Sequence, residues 1–142
     1  MPREKSCGAV VFQRNRAIHY LLLQYGAGHW DLVKGHGKRN EREEETVLRE
    51  LQEETGITDV RFIPDFREEI HYFFRRRGYT VYKEVVYFLV ETHQQEVVLS
   101  EEHVGYRWLP YREAMETITF KNSQNVVKKA HEFLKSRRPV DV

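Results

Sequence analysis

The sequence predicts a layered domain of the α/β or α+β class, in which a mixed β-sheet is flanked by a few helices. Segments rich in aromatic and β-branched residues alternate with two segments of helical periodicity. The 142 residues are 40% hydrophobic and 13% aromatic, which is sufficient for a buried core. We therefore expect one domain over residues 1–142, with a basic tail from about residue 136.

The composition argues against several classes of function. The net charge is +1, so no overall field attracts nucleic acid or a membrane surface. No apolar run approaches the ~20 residues that a membrane-spanning helix needs. The single cysteine, Cys7, cannot form an internal disulfide, which fits a reducing compartment. We expect a cytoplasmic protein without a membrane partner.

Six segments have the composition of strands. The first two are joined by the polar stretch 13–16, and a short third one precedes a glycine-containing loop. The two longest flank Arg75-Arg76-Arg77-Gly78 and predict an antiparallel hairpin. The predicted strands are residues 7–12, 18–23, 30–33, 60–74, 79–91 and 106–109.

Apolar spacing predicts two helices, at about 43–55 and from 122 or 123 to 135. In the first, Val47, Leu48 and Leu51 form a core-facing stripe, and Gly56 is a favourable stop. A short third helix is expected after Pro110. In the last helix the inward residues are Val126, Val127, Ala130, Phe133 and Leu134.

The first predicted helix carries three carboxylates on one face, since Glu50, Glu53 and Glu54 are spaced by three and four residues. They lie near the negative end of the helix dipole, where acidic side chains are unfavourable. Their mutual repulsion is costly unless a cation lies among them. Because hard divalent cations prefer carboxylate oxygens, the face predicts a metal site.

A longer motif surrounds these carboxylates and fits G-x5-E-x7-R-E-U-x-E-E-x-G-U, where U is aliphatic. This is the Nudix box, and the chain resembles Nudix hydrolases, which cleave nucleoside diphosphates linked to another moiety. The resemblance implies a Nudix-type α/β/α sandwich, Mg²⁺ as cofactor with Mn²⁺ as an alternative, and pairing of Arg49 with Glu41. It also implies a metal site formed by Gly35, Glu50, Glu53 and Glu54. The matched positions are Gly35, Glu41, Arg49, Glu50, Leu51, Glu53, Glu54, Gly56 and Ile57.

The resemblance extends from about Cys7 to Leu134, through C-G-A-V-V-F, Lys34-Gly35-His36, Glu102-His103 and Phe120-Lys121. Together these resemble the asymmetrical diadenosine tetraphosphate hydrolases, which produce ATP and AMP. By this resemblance the substrate is a small nucleotide, and Glu102 is a further metal ligand or the general base. The implied substrate-binding residues are Lys34, His36, Tyr72, Lys83, His103 and Phe120.

The sequence leaves alternative roles open for several of these residues. Tyr72 and Phe120 suit adenine stacking and core packing equally, and Lys83 could be merely solvated. Either Glu54 or Glu102 could be the base that activates water. Where the family often has Pro-Gly before the first box glutamate, this chain has Arg39-Asn40; asparagine tolerates the left-handed conformation and can preserve the turn.

Three other functions compete with hydrolysis of diadenosine tetraphosphate. An RNA 5′-end pyrophosphohydrolase would use the same box together with the basic tip at 75–77, which is otherwise a solvated hairpin end. A second alternative is a pyrophosphatase of damaged nucleotides. A third is a non-catalytic sensor of adenine nucleotides, against which the intact carboxylate set argues.

Overall fold

A seven-stranded mixed sheet and three helices make up the computed structural model, which describes residues 1–137. The predicted basic tail falls outside the described residues from position 138 onward. Within residues 1–137 no helix combines the length and apolarity needed to cross a membrane. The strands are β1 (Arg3–Asn15), β2 (Ala17–Tyr25), β3 (Trp30–Asp31), β4 (Val33–His36), β5 (Arg61–Arg76), β6 (Tyr79–Glu91) and β7 (His103–Pro110). The helices are α1 (Glu43–Thr55), α2 (Tyr111–Thr117) and α3 (Lys121–Ser136).

Strand β1 organises the sheet because it pairs with three other strands. The main order is β3-β2-β1-β6-β5, while β4 pairs with β1 and β7 pairs with β2. The β1–β6 pairing is parallel, and the other pairings are antiparallel. Residues 3–6 of β1 pair with β6, and Ser6 also pairs with His36 of β4.

The two faces of the sheet bury separate cores, as the alternation of side chains along a strand requires. Val10 and Phe12 of β1 face a core that includes residues of α2 and α3. Ala9 and Val11 face the opposite core, which includes Val47 and Leu51 of α1. The expected α/β/α sandwich is therefore confirmed.

Local predictions were accurate where turn chemistry was decisive. Helix α1 covers the predicted residues, and Gly56 follows it with a φ of 72°. Asn40 has a φ of 66°, so it supplies the left-handed turn expected of it. The hairpin β5–β6 turns at Arg77-Gly78, and α2 follows Pro110.

Other predictions were wrong in extent or orientation. The polar stretch 13–16 is mostly strand, with only Arg16 in the turn at a φ of 67°. The segment 30–33 divides into β3 and the start of β4, and β4 continues through Gly35. Leu48 is 43% exposed. The helix is rotated so that Glu50 and Glu54 are buried beside Val47 and Leu51, which leaves Leu48 at the edge of the buried stripe.

Candidate active site

The carboxylate face of α1 lies directly against β4 at Gly35. A Cβ atom on Gly35 would lie 2.0 Å from Glu50 Cδ and 2.0 Å from Glu50 Oε2. A side chain there would have to displace the carboxylate, since ordinary van der Waals contact begins near 3.4 Å. The glycine that opens the box motif is thus needed for the close approach of Glu50 to the sheet.

Arg49 connects the loop after β4 to the helix. Its guanidinium donates two hydrogen bonds to Glu41, at 2.8 and 3.0 Å, and one of 2.8 Å to the carbonyl of His36. It also donates to Glu53 at 3.1 Å and to Glu50 at 3.3 Å. The bond from Arg49 lowers the pKa of Glu41 to about 2, so this pair stays ionised. The pairing of Arg49 with Glu41 that the sequence predicted is thus found in the structure.

Glu54 is the most perturbed carboxyl group of this face. Burial raises its pKa to about 9, with Glu50 and then Glu102 adding further increases. Its Oε1 and the Oε2 of Glu50 are both buried without a hydrogen-bond partner. Two such atoms are costly because an unsatisfied buried acceptor retains its full desolvation penalty. Glu53 differs, because its side chain is 53% exposed.

The segment around β7 supplies two of the predicted residues. One ligand atom each from Glu54, Glu102 and His103 lies within 4.8 Å of the others. The His103 side chain is fully buried, and its Nε2 is 3.2 Å from Glu54 Oε1 without hydrogen-bond geometry. Burial lowers the pKa of His103, which favours the neutral ring. His103 therefore lies against Glu54, and its predicted phosphate contact stays a prediction.

A polar cavity of about 480 Å³ connects these carboxylates with the predicted cationic residues. Lys83 lies at its wall and is buried rather than solvated: its Nζ donates to Ser6 Oγ at 2.7 Å and lies 3.0 Å from His36 Nε2. Burial lowers the pKa of Lys83. The predicted residues that line this cavity are Lys34, Gly35, His36, Arg49, Glu50, Glu54, Lys83 and Glu102.

A second cavity, of about 340 Å³, contains the two aromatic residues proposed to stack on a base. Tyr72 is partly buried and Phe120 is exposed, and Ile70 lies with them. Lys34 lines both this cavity and the polar one. The aromatic and the carboxylate sites are therefore adjacent, with one lysine between them.

Sequence reasoning missed three residues that organise these cavities. Asp31 is buried and accepts a 3.0 Å bond from Lys34 Nζ. Tyr25 lines the polar cavity and makes an edge contact with His103, the two ring centroids being 4.5 Å apart. Glu4 contacts Lys83. Only Asp31, three residues from Lys34, carried a local signal, because the other contacts join distant parts of the chain.

Comparison with known proteins agrees with this geometry, since residues 2–130 match the family profile described as the NUDIX domain. The chain belongs to the Nudix family. It is similar to the asymmetrical bis(5′-nucleosyl)-tetraphosphatase of Mus musculus, with 38% identity over 92% of this chain and 95% of the relative. The corresponding Sus scrofa protein is 39% identical over the same shares.

Solved Nudix structures show the same fold. The binary complex of Caenorhabditis elegans Ap4A hydrolase superposes with a TM-score of 0.83, at 28% identity, covering 94% of this chain and 99% of that one. The expected family and sandwich fold are thus confirmed.

The residues present fit the divalent metal on which Nudix hydrolases depend. Two buried carboxylate oxygens lack partners, Glu54 carries a raised pKa, and Glu102 lies close by. A divalent cation would supply the missing partners and favour the ionised form of Glu54. The described residues thus provide acidic groups for a metal ion on the Nudix helix.

Proposed function

We propose that the chain hydrolyses dinucleoside polyphosphates, and diadenosine tetraphosphate in particular, to ATP and AMP. The enzyme class follows from its family and relatives: it is a Nudix pyrophosphohydrolase. The observation that carries the specific substrate is the position of Lys34 between the carboxylate-lined cavity and the aromatic cavity. A substrate with a base at one end and a phosphate chain beyond it matches that arrangement.

The polar cavity accounts for the phosphate half of this proposal. Glu50, Glu53 and Glu54, together with the Gly35 carbonyl, would hold Mg²⁺ or Mn²⁺. When bound, such an ion lowers the pKa of water and stabilises charge on phosphate oxygens. On the opposite side Lys83 presents a cation that is already desolvated, so its attraction for a phosphate is stronger than in water.

The aromatic cavity accounts for the base. Tyr72 and Phe120 line it with Ile70, and the edge at Asn122 and Ser123 offers polar groups for a purine. Stacking on aromatic rings contributes ~1–3 kcal/mol per base and does not depend strongly on base identity. Preference for adenine therefore rests on the similarity to the Caenorhabditis elegans Ap4A hydrolase.

Two carboxylates remain candidates for the base that accepts a proton from the attacking water. Without metal Glu54 keeps its proton at neutral pH, and it could act as a base once a bound cation favoured its ionised form, whereas Glu102 is exposed and lines the same cavity. Arg49 would act indirectly, by holding Glu41, Glu53 and the His36 carbonyl in place.

Product analysis in ¹⁸O-labelled water tests the reaction. We expect the protein with Mg²⁺ to convert diadenosine tetraphosphate into labelled AMP and unlabelled ATP, and a chelator to stop turnover. Formation of two ADP molecules would refute asymmetrical cleavage. A parallel assay with 5′-triphosphorylated RNA should give much lower kcat/KM, and the reverse ranking would favour the RNA alternative. Replacement of Mg²⁺ by Mn²⁺ identifies the preferred ion.

A further inference from the structure

Four strands meet at the carboxylate of Glu4, which belongs to β1. Arg76 of β5 donates to its Oε2. On its Oε1 side lie His36 Nε2 of β4, at 3.2 Å, and Lys83 Nζ of β6, at 3.5 Å. The Glu4 side chain is only 18% exposed, and Arg76, followed by the charge on Lys83, lowers its pKa. Groups from three strands thus surround one carboxylate of a fourth strand in an anion-binding arrangement.

The same arrangement adjoins the polar cavity of the active site. His36 and Lys83 line that cavity, and their side chains also contact Glu4. Arg76 lies on the far side of Glu4, and its guanidinium lies over the Phe74 ring at 5.1 Å from the centroid. A phosphate chain that runs from the α1 carboxylates past Lys83 would therefore reach the position held by Glu4.

We propose that Arg76, with Lys83 and His36, forms a subsite for the outer phosphates of a long polyphosphate chain, and that Glu4 competes for it as an internal anion. The proposal rests on the proposed function and adds selection by chain length. A carboxylate and a phosphate are both oxyanions that accept charge-assisted hydrogen bonds from arginine and lysine. Only a chain long enough to pass Lys83 can displace Glu4.

The hairpin tip provides a matched control for Arg76. Arg75 is its sequence neighbour, but it donates to Thr80 Oγ1 at 2.9 Å and to the Gly78 carbonyl at 2.6 Å. Its guanidinium is therefore occupied within the turn. Glu69 is a second control, because its carboxylate is on the same hairpin and pairs with Arg67 at 2.7 Å. Glu69→Gln changes the net charge by the same amount as Glu4→Gln but leaves the contacts of Glu4 in place.

The test compares Glu4→Gln and Arg76→Gln with the controls Glu69→Gln and Arg75→Gln. KM and kcat are measured for diadenosine tri-, tetra- and pentaphosphate. We expect Glu4→Gln to lower the KM for the two longer substrates by about two- to fivefold, and Arg76→Gln to raise it similarly, which is the range measured for ion pairs near a protein surface. In these two variants the KM for the triphosphate should change less. In the controls Glu69→Gln and Arg75→Gln the KM for every substrate should change less.

Other outcomes overturn the proposal. If Glu4→Gln raises KM or leaves it unchanged at an unaltered melting temperature, Glu4 is not a competitor. If a substitution changes KM equally for all three substrates, a subsite that selects chain length is excluded. The same follows if Arg75→Gln and Arg76→Gln change KM equally. Calorimetric binding of inorganic tripolyphosphate with Mg²⁺ tests the subsite without turnover. Relative to wild type, Glu4→Gln should bind it more tightly and Arg76→Gln more weakly. If wild type cleaves no dinucleoside polyphosphate, the proposed function fails, while this binding series still tests the subsite.

Discussion

Substitution of Gly35 by alanine should abolish most activity while leaving the protein folded. The new Cβ would lie 2.0 Å from the Glu50 carboxyl group, which must retreat by at least about 1.4 Å to reach ordinary contact. The atoms that move are the end of a flexible side chain, so the cost in stability should be about 1 kcal/mol, the low end of overpacking. Misplacement of a site group by about 1 Å can lower the rate by ~10²-fold.

Gly8 offers the contrasting substitution. A Cβ there would lie 2.1 Å from the Val33 carbonyl oxygen and 2.8 Å from Lys34 Cβ. Because a backbone carbonyl of β4 cannot rotate aside, Gly8→Ala should cost about 3 kcal/mol or more. This corresponds to a fall in Tm of roughly 12 °C, at about 4 °C per kcal/mol.

The assay is kcat/KM at saturating Mg²⁺ together with Tm from calorimetry. For Gly35→Ala we expect kcat/KM to fall ~10²-fold and Tm to fall by roughly 4 °C. Full activity in Gly35→Ala would refute the reasoning, because it would mean that the close approach of Glu50 to β4 is not needed for catalysis. A Tm loss as large as that of Gly8→Ala would show instead that the glycine serves folding.

Further predictions concern single residues of the site. Glu53→Gln should lower kcat by several orders of magnitude at an unchanged Tm, and near-normal turnover would remove Glu53 from the metal ligands. Because Glu54 keeps its proton up to about pH 9 when folded, against about 4.5 when unfolded, metal-free stability should fall as pH rises across that window. Melts in chelator check this, and Glu54→Gln should remove the slope. Phe120→Ala should raise KM for adenine substrates about 5- to 150-fold while Tyr72→Phe leaves it nearly unchanged, as expected for stacking; an unchanged KM in Phe120→Ala would assign that ring to packing. Asn40→Gly should leave Tm nearly unchanged, whereas Asn40→Val should lower it by roughly 4–8 °C, because the left-handed conformation costs about 1–2 kcal/mol for a side chain branched at Cβ.

The parts of the site that were predictable from sequence depend on local spacing. The bounds of α1 follow from its periodicity and Gly56, and the Glu41–Arg49 pair spans only eight positions. Asn40 could be assigned a left-handed turn because it stands where the resembled family often has glycine, and asparagine tolerates that conformation. These features depend only on the helix and the loop before it. They can therefore be predicted without knowledge of the rest of the fold.

The remaining features depend on how distant strands align. Glu4 and Arg76 are 72 positions apart, and their contact follows from the parallel register of β1 with β6 and the β5–β6 hairpin. Charged residues such as Arg3 and Lys5 do not have strand composition, so β1 was predicted too short. Leu48 was misassigned because the buried face of the helix includes Glu50, which lies against Gly35 of β4, and Glu54, which lies beside His103 of β7.

The opening residues of β1 act as a spacer between two walls of the polar cavity. They pair with Tyr82–Val85 on one side, while Ser6 pairs with His36 on the other, so the wall that carries Lys83 and the wall that carries Gly35 are held at a fixed separation. Strand-disrupting changes within residues 3–6 should let these walls move apart while Glu50, Glu53 and Glu54 remained in place on α1. Preparations for kinetic work should therefore be checked by mass spectrometry for intact residues 3–6.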